Sequence, residues 1–319
     1  MRSLESIERV SLGIFPTPIQ RLDNISRLLS TNVFIKRDDL TGLGLGGNKV
    51  RKLEFLLAQA RRQGAEVVFT TGGAQSNHAM LTAAAAGRLG MRAILVLKAR
   101  GVTACVGNQY LEKLMGTRVV FVDTDDYRDI YAEMDRIGAS LGVPYYKIPC
   151  GGSNALGSLG YVACAEEIAR QAAPFDHIVC AEGSGGTMAG LALGAKLFLP
   201  GARVHGMLVD DDPFDEITPR LMREAAALLE ADVDVGSGDF HLLDMCGPGY
   251  AVPSEAGNAA MALMAAREGL FLDPVYTGKA FTGLIAMAEA GAFRSDDRVL
   301  FVHTGGAGGL FAVTGNVVT

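Results

Sequence analysis

Two glycine-rich segments contain the residues whose types and spacing could bind an anion and react with a carbonyl group. The first, TGLGLGGNKVRKLEF at residues 41–55, places Lys49 just after a run of glycines. The second, EGSGGTMAG at residues 182–190, lies between an apolar segment and an Ala/Leu-rich one. Glycine lets backbone N–H groups approach an anion closely, and a lysine amine can form a Schiff base with an aldehyde.

The glycines of the first segment fit the dinucleotide-binding pattern G-x-G-x-x-G, but their context does not. That pattern requires an apolar strand directly before the first glycine, whereas the charged segment KRDDL at 36–40 intervenes here. It also requires an acidic residue at the end of the second strand, and that strand ends in Thr70 and Thr71. Nucleotide binding is disfavoured, and a nucleotide-dependent oxidoreductase is kept only as a rival hypothesis.

The first segment departs from a phosphate-binding P-loop as well. Asn48 separates Gly47 from Lys49, and Val50 stands where that motif requires Ser or Thr. The glycines are instead expected to form a tight turn that presents Lys49 at its edge. An ordinary surface position is expected for Lys52.

The second segment is the better phosphate site, because it connects the predicted strand HIVCA to a helix. Backbone N–H groups and two hydroxyls would point toward a phosphate at the helix N-terminus, from residues Gly183, Ser184, Gly185, Gly186 and Thr187. The alternative is an ordinary helix cap at Ser184 or Thr187. No arginine or acidic Mg²⁺ ligand accompanies the segment, which favours a phosphate monoester. A phosphate-bearing aldehyde near Lys49 indicates pyridoxal phosphate.

Short β-branched segments alternate with longer helical patterns along the chain, which predicts β-α-β units and an α/β fold. Strands are predicted at residues 32–37, 66–71, 92–97, 117–122, 144–149, 177–181, 203–209 and 298–303. These strands are apolar throughout, as expected when helices cover both faces of a parallel sheet. Five glycine clusters fall where strands should end, the edge at which such sheets bind ligands.

Composition disfavours several classes of function. The chain has 319 residues and a net charge of −6 without a basic block, so neither nucleic acid nor anionic membranes are expected partners. The sequence shows no signal-peptide pattern and no apolar run of membrane-spanning length. Five scattered cysteines predict reduced thiols and a cytoplasmic location, and five histidines without paired spacing predict no metal site.

Seven segments in the same order resemble the D-cysteine desulfhydrase and 1-aminocyclopropane-1-carboxylate (ACC) deaminase family over nearly the whole chain. They are FIKRDDLTGLGLGGNKVRKLEF, QSNH, GGSNALGSLGYV, GSGGTMAG, GYAVP, EGLFLDPVYTGKAFTGLI and LFVHTGGAGGLFA. The resemblance implies a pyridoxal-phosphate enzyme of the tryptophan synthase β-like fold (fold type II), with largely parallel twisted sheets flanked by helices. It also implies a homodimer, a larger cofactor domain at 1–54 and 156–319, and a smaller mobile domain at 55–155.

The resemblance also implies roles for individual residues near the N-terminal half of the site. Lys49 would be the Schiff-base lysine, and its freed amine would take the substrate Cα proton. Asn77 would hydrogen-bond the cofactor's 3-hydroxyl, while Ser76 would help hold the substrate carboxylate. His78 completes the predicted substrate-binding group with Ser76 and Asn77, and residues 183–187 would hold the phosphate.

Two tyrosines and two threonines complete the predicted site. Tyr250 in GPGYAVP and Tyr276 in DPVYTGK match active-site tyrosines near the substrate, and which of them assists the leaving group stays open. Thr277 falls where the family places the partner of the pyridine nitrogen. Thr304, after the last predicted strand, is a further cofactor-binding residue.

Thr277 and Thr304 also distinguish the branches of this family. ACC deaminases resemble VYEGK and HLGG at these positions, so a carboxylate there keeps the pyridine nitrogen protonated and suits ring opening. A threonine is adequate when a good leaving group departs from Cβ, which favours elimination of D-cysteine to pyruvate, ammonia and hydrogen sulfide. An L-cysteate sulfo-lyase, an ACC deaminase and a non-catalytic small-molecule-binding homologue are the alternatives.

The segment after QSNH departs from the family pattern. Ala79, Met80 and Leu81 occupy a stretch where the family usually has an arginine and a glutamine. This stretch forms the expected wall of the substrate site. The substrate and its D or L configuration therefore stay open.

Overall fold

The computed structural model describes residues 1–100 and 104–312, and within them ten strands form two sheets. The strands are β1 Ile19–Arg21, β2 Asn32–Lys36, β3 Val67–Thr70, β4 Arg92–Lys98, β5 Arg118–Val122, β6 Tyr145–Lys147, β7 His177–Glu182, β8 Arg203–Leu208, β9 His241–Asp244 and β10 Arg298–Val302. The eight strands predicted from apolar segments are all present. Their ends differ from the prediction by no more than two residues.

The larger sheet has the strand order β1-β2-β10-β7-β8-β9. β1 is antiparallel to β2, and the other neighbouring strands of this sheet pair in parallel. All six residues of β7 are buried, because helices cover both faces of the sheet. The predicted α/β fold with largely parallel sheets is confirmed.

The smaller sheet has the order β5-β4-β3-β6, and its strands are all parallel. Its strands fall within residues 67–147, inside the segment 55–155 that the sequence predicts as a smaller domain. The larger sheet takes its strands from both sides of that segment. The domain boundaries and the mobility of the smaller domain stay predictions.

The helices of the described residues lie between the strands and after the last one. They are α1 Asp23–Leu29, α2 Lys49–Arg62, α3 Asn77–Arg88, α4 Gly107–Leu114, α5 Tyr127–Leu141, α6 Ala155–Gln171, α7 Gly186–Phe198, α8 Phe214–Leu228, α9 Glu255–Glu268, α10 Thr277–Glu289 and α11 Ala307–Leu310. α6 and α7 approach closely, since a Cβ on Gly190 would lie 2.3 Å from the carbonyl oxygen of Ser158. This contact holds the start of α7 against α6 and fixes the loop that follows β7.

Five elements were not predicted, namely β1, β9, α1, α8 and α11. β1 has only three residues, and two of them, Gln20 and Arg21, are polar and exposed. α8 contains Pro219, which lacks an N–H group and usually marks the end of a helix. Short edge strands and a helix with an internal proline have weak local signals, so packing decides them.

All five cysteines carry free thiols, as the sequence predicts. Within residues 1–100 and 104–312, no helix has both the length and the apolar character needed to cross a membrane.

Candidate active site

A cavity of about 280 Å³ lies beyond the carboxyl ends of strands from both sheets. Its walls include eleven of the thirteen predicted site residues: Lys49, Ser76, Asn77, His78, Gly183, Ser184, Gly185, Thr187, Tyr250, Tyr276 and Thr304. Gly186 and Thr277 are buried behind the wall. The fold thus gathers the predicted residues at one place, while the role of each stays a prediction.

The glycine segment before α2 forms a tight turn that ends at Lys49. A Cβ on Gly46, whose φ is +74°, would lie 1.8 Å from the carbonyl oxygen of Asp39, so only glycine fits there. The hydroxyl of Thr41 accepts a hydrogen bond from the N–H of Gly47 at 2.9 Å. The turn therefore places Lys49 at the first position of α2 and on the cavity wall.

The environment of Lys49 makes its amine reactive near neutral pH. Burial lowers the pKa of Lys49 to about 8, although Cys150 and Glu182 act in the opposite direction. A substantial fraction of the amine is then neutral at about pH 8. A neutral amine can attack an aldehyde or take a proton from carbon.

The start of α3 forms a second part of the wall. The hydroxyl of Ser76 accepts a hydrogen bond from the N–H of Ala79 at 3.2 Å and so caps the helix. The N–H groups of Asn77 and His78 in the first turn have no acceptor within the helix. Together with the helix dipole, they favour an anion here, for which the sequence predicts a substrate carboxylate.

His78 contributes a neutral ring to the site. Its side chain is buried, and Nε2 lies 2.8 Å from the hydroxyl oxygen of Thr70 at the end of β3. Burial, and then the nearby Lys49 and Lys52, lower the pKa of His78 well below its usual range. His78 is therefore a fixed polar group and not a second cation for the substrate.

Asn108 of α4 orients the amide of Asn77 and was not predicted. The side-chain N–H₂ group of Asn108 donates to Asn77 Oδ1 at 2.7 Å and to the carbonyl oxygen of Gln75 at 2.9 Å. With its oxygen engaged in this way, Asn77 has its own N–H₂ group left as the donor. A donor is the group needed to bind a phenolic oxygen such as the predicted 3-hydroxyl.

The loop between β7 and α7 is organised around Ser153. Its hydroxyl accepts from the N–H of Gly186 at 3.2 Å and donates to the hydroxyl of Ser184 at 2.9 Å. Lys52 Nζ donates to the same Ser153 oxygen at 3.1 Å and to the carbonyl oxygen of Gly151 at 3.2 Å. Backbone N–H groups and hydroxyls thus meet at one end of the cavity with the amine of Lys52 behind them, a set that fits a phosphate monoester.

The expected surface position of Lys52 is wrong. The side chain is fully buried, and a Cβ on Gly186 would lie 2.8 Å from Nζ. Burial, and then the neighbouring Lys49, lower the pKa of Lys52 well below its usual range. Few negative charges lie near Lys52 to balance a protonated amine. An anion bound in the adjacent loop would therefore interact strongly and favourably with it.

We expect a Lys52→Met variant to bind pyridoxal phosphate about 10- to 100-fold more weakly, because a charge-assisted hydrogen bond contributes about 1.5–3 kcal/mol. Its affinity for pyridoxal, which lacks the phosphate, should not change. The measurement is a titration of the visible absorbance of the protein with each aldehyde. Lys113→Met, which removes an exposed lysine of α4, is the control. An equal loss for both aldehydes would contradict a role in phosphate binding.

Tyr250 and Tyr276 form a hydroxyl pair at the cavity. Their oxygens are 2.7 Å apart, and the rings are inclined at 66°. Burial raises the pKa of both phenols above the usual value, so both are neutral near pH 7. Lys279 Nζ donates to the carbonyl oxygens of Cys246 and Gly249 and thereby fixes the loop that carries Tyr250.

The two threonines occupy different positions. Thr304 lines the cavity directly after β10. The hydroxyl of Thr277 donates to Asp273 Oδ1 at 2.6 Å and is fully buried. No observed contact of Thr277 supports its predicted interaction with a pyridine nitrogen, and this role stays a prediction. Thr304, in contrast, lies on the wall of the ligand cavity.

Four charged residues of this region were not predicted as site residues. Glu182, Asp210, Asp212 and Arg220 line the cavity together with the predicted set. The residues that the structure describes contain no group of three or more His, Cys, Asp or Glu side chains that could hold a metal ion. Glu182 directly precedes the predicted phosphate loop, and this position is the one sequence signal that could have identified it as a site residue.

Comparison with known proteins gives one consistent family. The model of the family described as "Pyridoxal-phosphate dependent enzyme" matches residues 10–305. A putative 1-aminocyclopropane-1-carboxylate deaminase of Pyrococcus horikoshii is 44% identical over 316 residues, which cover 97% of this chain and 94% of the relative. A D-cysteine desulfhydrase of Yersinia enterocolitica is 42% identical over 320 residues and 97% of each chain.

A solved structure agrees with the sequence comparisons. The crystal structure of an ACC deaminase homologue superposes with a TM-score of 0.91 and 43% sequence identity. The match covers 97% of this chain and 94% of the other. Fold and sequence therefore point to the same group of proteins, which includes relatives named for two different reactions.

Proposed function

The chain belongs to the family of pyridoxal-phosphate-dependent enzymes, and we propose that it eliminates hydrogen sulfide from D-cysteine to give pyruvate and ammonia. The main support is one cavity lined by Lys49, the first turn of α3, Tyr250 and Tyr276. These supply an amine, an anion site and a proton donor. An α,β-elimination from an amino acid requires these three groups.

Pyridoxal phosphate, when held by Lys49, the phosphate loop and Asn77, supplies an electron sink for negative charge at the substrate Cα. The N-terminus of α3 and the hydroxyl of Ser76 hold the substrate carboxylate. With a pKa of about 8, the amine of Lys49 exists partly in the neutral form and takes the Cα proton. Binding of the carboxylate at α3 fixes which Cα–H bond faces Lys49, and this selects one enantiomer.

A proton donor at the sulfur assists the departure of the thiolate. The paired phenols of Tyr250 and Tyr276 are neutral, and one hydroxyl of the pair can donate while the other hydroxyl stabilises it by a hydrogen bond. The thiolate then leaves as hydrogen sulfide or its anion. Water hydrolyses the remaining three-carbon fragment to pyruvate and ammonia.

The rival within the family is ACC deamination, since one relative carries that name. Ring opening of ACC has no good leaving group and depends on a strong partner for the pyridine nitrogen. Here the wall has the hydroxyl of Thr304, and the hydroxyl of Thr277 lies behind it. A neutral partner supports elimination of a thiol; L-cysteate is the alternative substrate of the same reaction type.

The test is a substrate panel of D- and L-cysteine, L-cysteate, β-chloroalanine, D-serine and ACC. We expect pyruvate from D-cysteine, with kcat/KM at least about 10-fold above that for the other natural compounds, a difference of about 1.4 kcal/mol in activation free energy. ACC should give no 2-oxobutyrate. If 2-oxobutyrate from ACC is the only product found, the argument from Thr277 and Thr304 is wrong.

The remaining expectations are part of the same proposal. A cytoplasmic site of action is supported by the five free thiols. The homodimer and the mobile domain at 55–155 are predictions from the family resemblance. The role of Lys49 is a proposal that Lys49→Ala and Lys49→Arg test, and the roles of Ser76 and Asn77 are proposals supported by their place at the start of α3 on the cavity wall.

A further inference from the structure

Glu182 is a carboxylate inside the loop that is proposed to hold the phosphate. It is the last residue of β7, its side chain is 1% exposed, and it lines the cavity. Oε1 accepts hydrogen bonds from the N–H groups of Ser184 at 3.3 Å and Gly185 at 2.5 Å. These are two of the N–H groups assigned to the phosphate, so the side chain and a phosphate would share donors.

The second carboxylate oxygen of Glu182 has no such donors. Within the described residues, Oε2 is buried and has no hydrogen-bond partner. A buried carboxylate oxygen without a donor is costly as an anion, whereas a protonated oxygen there becomes a donor itself. The oxygen therefore suits a site at which an acceptor, such as a phosphate oxygen, comes next to it.

Titratable groups around Glu182 come from two elements. Lys49 and Lys52 of α2 favour its ionised form, and Cys180 of β7 interacts with it as well. Burial has the largest influence and raises the pKa of Glu182 to about 7. The carboxyl group thus titrates near neutral pH, where the phosphate monoester is largely a dianion.

Two anions that share the same donors repel each other strongly in a buried site. We propose that Glu182 takes up one proton when the cofactor's phosphate binds, and that it then donates a hydrogen bond to a phosphate oxygen. The inference rests on the proposed phosphate loop at 183–187. The chain's affinity for its cofactor is therefore linked to pH through a residue that takes no part in the reaction itself.

The ratio of the affinities for pyridoxal phosphate and pyridoxal distinguishes proton uptake by Glu182 from the titration of Lys49. Lys49 reacts with the aldehyde of pyridoxal and of pyridoxal phosphate alike, so its pH dependence cancels in the ratio of the two affinities. Above about pH 7 that ratio should fall by up to tenfold per pH unit, because one extra proton is bound. In Glu182→Gln, whose amide is always neutral, the decline should be less steep by up to tenfold per pH unit, because this proton is no longer taken up.

The experiment titrates the full chain, freed of cofactor, with each aldehyde between about pH 7 and 9 and follows the visible absorbance. The exposed Glu66, which directly precedes β3, provides the control variant Glu66→Gln, which should behave like the wild type. Calorimetry of the wild-type chain in buffers of different ionisation enthalpy gives a second readout that needs no variant. It should show about one more proton taken up with pyridoxal phosphate than with pyridoxal at about pH 8.

A constant affinity ratio in the wild type, or the same decline in Glu182→Gln, would overturn the role of Glu182. If the chain binds both aldehydes equally at every pH, the phosphate loop itself is misplaced, and the inference fails with it. A strong but pH-independent preference for pyridoxal phosphate would leave the loop in place and refute only the proton uptake.

Discussion

A Lys49→Ala variant is expected to lose at least about 10³-fold in turnover and to bind pyridoxal phosphate without the absorbance of a lysine-bound aldehyde. α2 carries two lysines, and only Lys49 lines the cavity, while Lys52 lies behind the phosphate loop. Removal of Lys49 takes away both the attachment point and the base, so the two losses should occur together. Absorbance spectra and pyruvate formation from D-cysteine measure them separately.

Two further variants identify what is lost. Lys49→Arg keeps a cation but offers no amine that can attach the aldehyde, so it should be as inactive as Lys49→Ala. Lys52→Met should keep the absorbance at saturating cofactor. A Lys49→Ala protein that still shows the wild-type spectrum would assign the attachment to another lysine and refute the proposed site.

The pH dependence of attachment follows from the pKa of Lys49. Because burial lowers this pKa to about 8, the neutral, reactive amine increases as the pH rises through about 8 and then levels off. The rate at which the wild-type chain captures pyridoxal should follow the same curve. An exposed lysine would show its increase about two pH units higher.

Local sequence signals predicted the elements that position this site. Apolar β-branched segments marked the buried strands β7 and β10, and glycines marked the turns after them. A tight turn at 42–47 was predicted from its glycines. The structure gives the physical reason, because there is no room for a side chain at Gly46. These features depend on neighbours in the chain, which a sequence displays directly.

Lys52 and Glu182 show what a sequence does not display. α2 buries every residue from Val50 to Ala58, so it has no polar face there, and a lysine on it cannot be assigned to the surface. Glu182 follows four apolar residues and could equally have pointed to solvent. Lys52 contacts Gly151, about a hundred positions away, and Glu182 interacts with Lys49 and Lys52 of the distant helix α2.

The most destabilising single change we expect is Arg51→Met, because Arg51 is the cation of a buried ion-pair network. Its guanidinium binds Asp38 through two hydrogen bonds of 2.8 Å and also contacts Glu167 at 2.9 Å. Asp38 is fully buried and accepts a further hydrogen bond from the hydroxyl of Tyr161 at 2.6 Å. The network connects α2, just after Lys49, to the segment after β2 and to α6.

Removal of Arg51 leaves Asp38 ionised, buried and without its main partner, which costs about 3–5 kcal/mol in free energy of unfolding. Methionine retains much of the apolar stem, so most of this loss comes from the charge. Urea-induced unfolding measures it at about pH 7. Arg61→Met removes an exposed arginine from the same helix and should change the free energy of unfolding by less than about 0.5 kcal/mol.

The pH dependence of this loss in free energy of unfolding distinguishes the effect of the removed charge from the effect of lost packing. In the wild type, burial raises the pKa of Asp38, but Arg51 and Tyr161 outweigh it, so the net pKa is lowered. This contribution is present above the unfolded pKa of about 4 and is lost as the pH falls through the folded value. Without Arg51, burial dominates and the folded pKa rises above 4, so the variant loses stability as the pH increases.

The two unfolding curves should therefore lie furthest apart at about pH 7, come closer as the pH falls to about 4, and converge only below the folded pKa of Asp38. If the difference between wild type and Arg51→Met is the same at both pH values, lost packing is the cause. The contact of the Arg51 guanidinium with the ring of Phe15, 4.4 Å from its centre, would then carry the effect. Convergence would instead show that α2, with Lys49 at its start, is held in place mainly by charge.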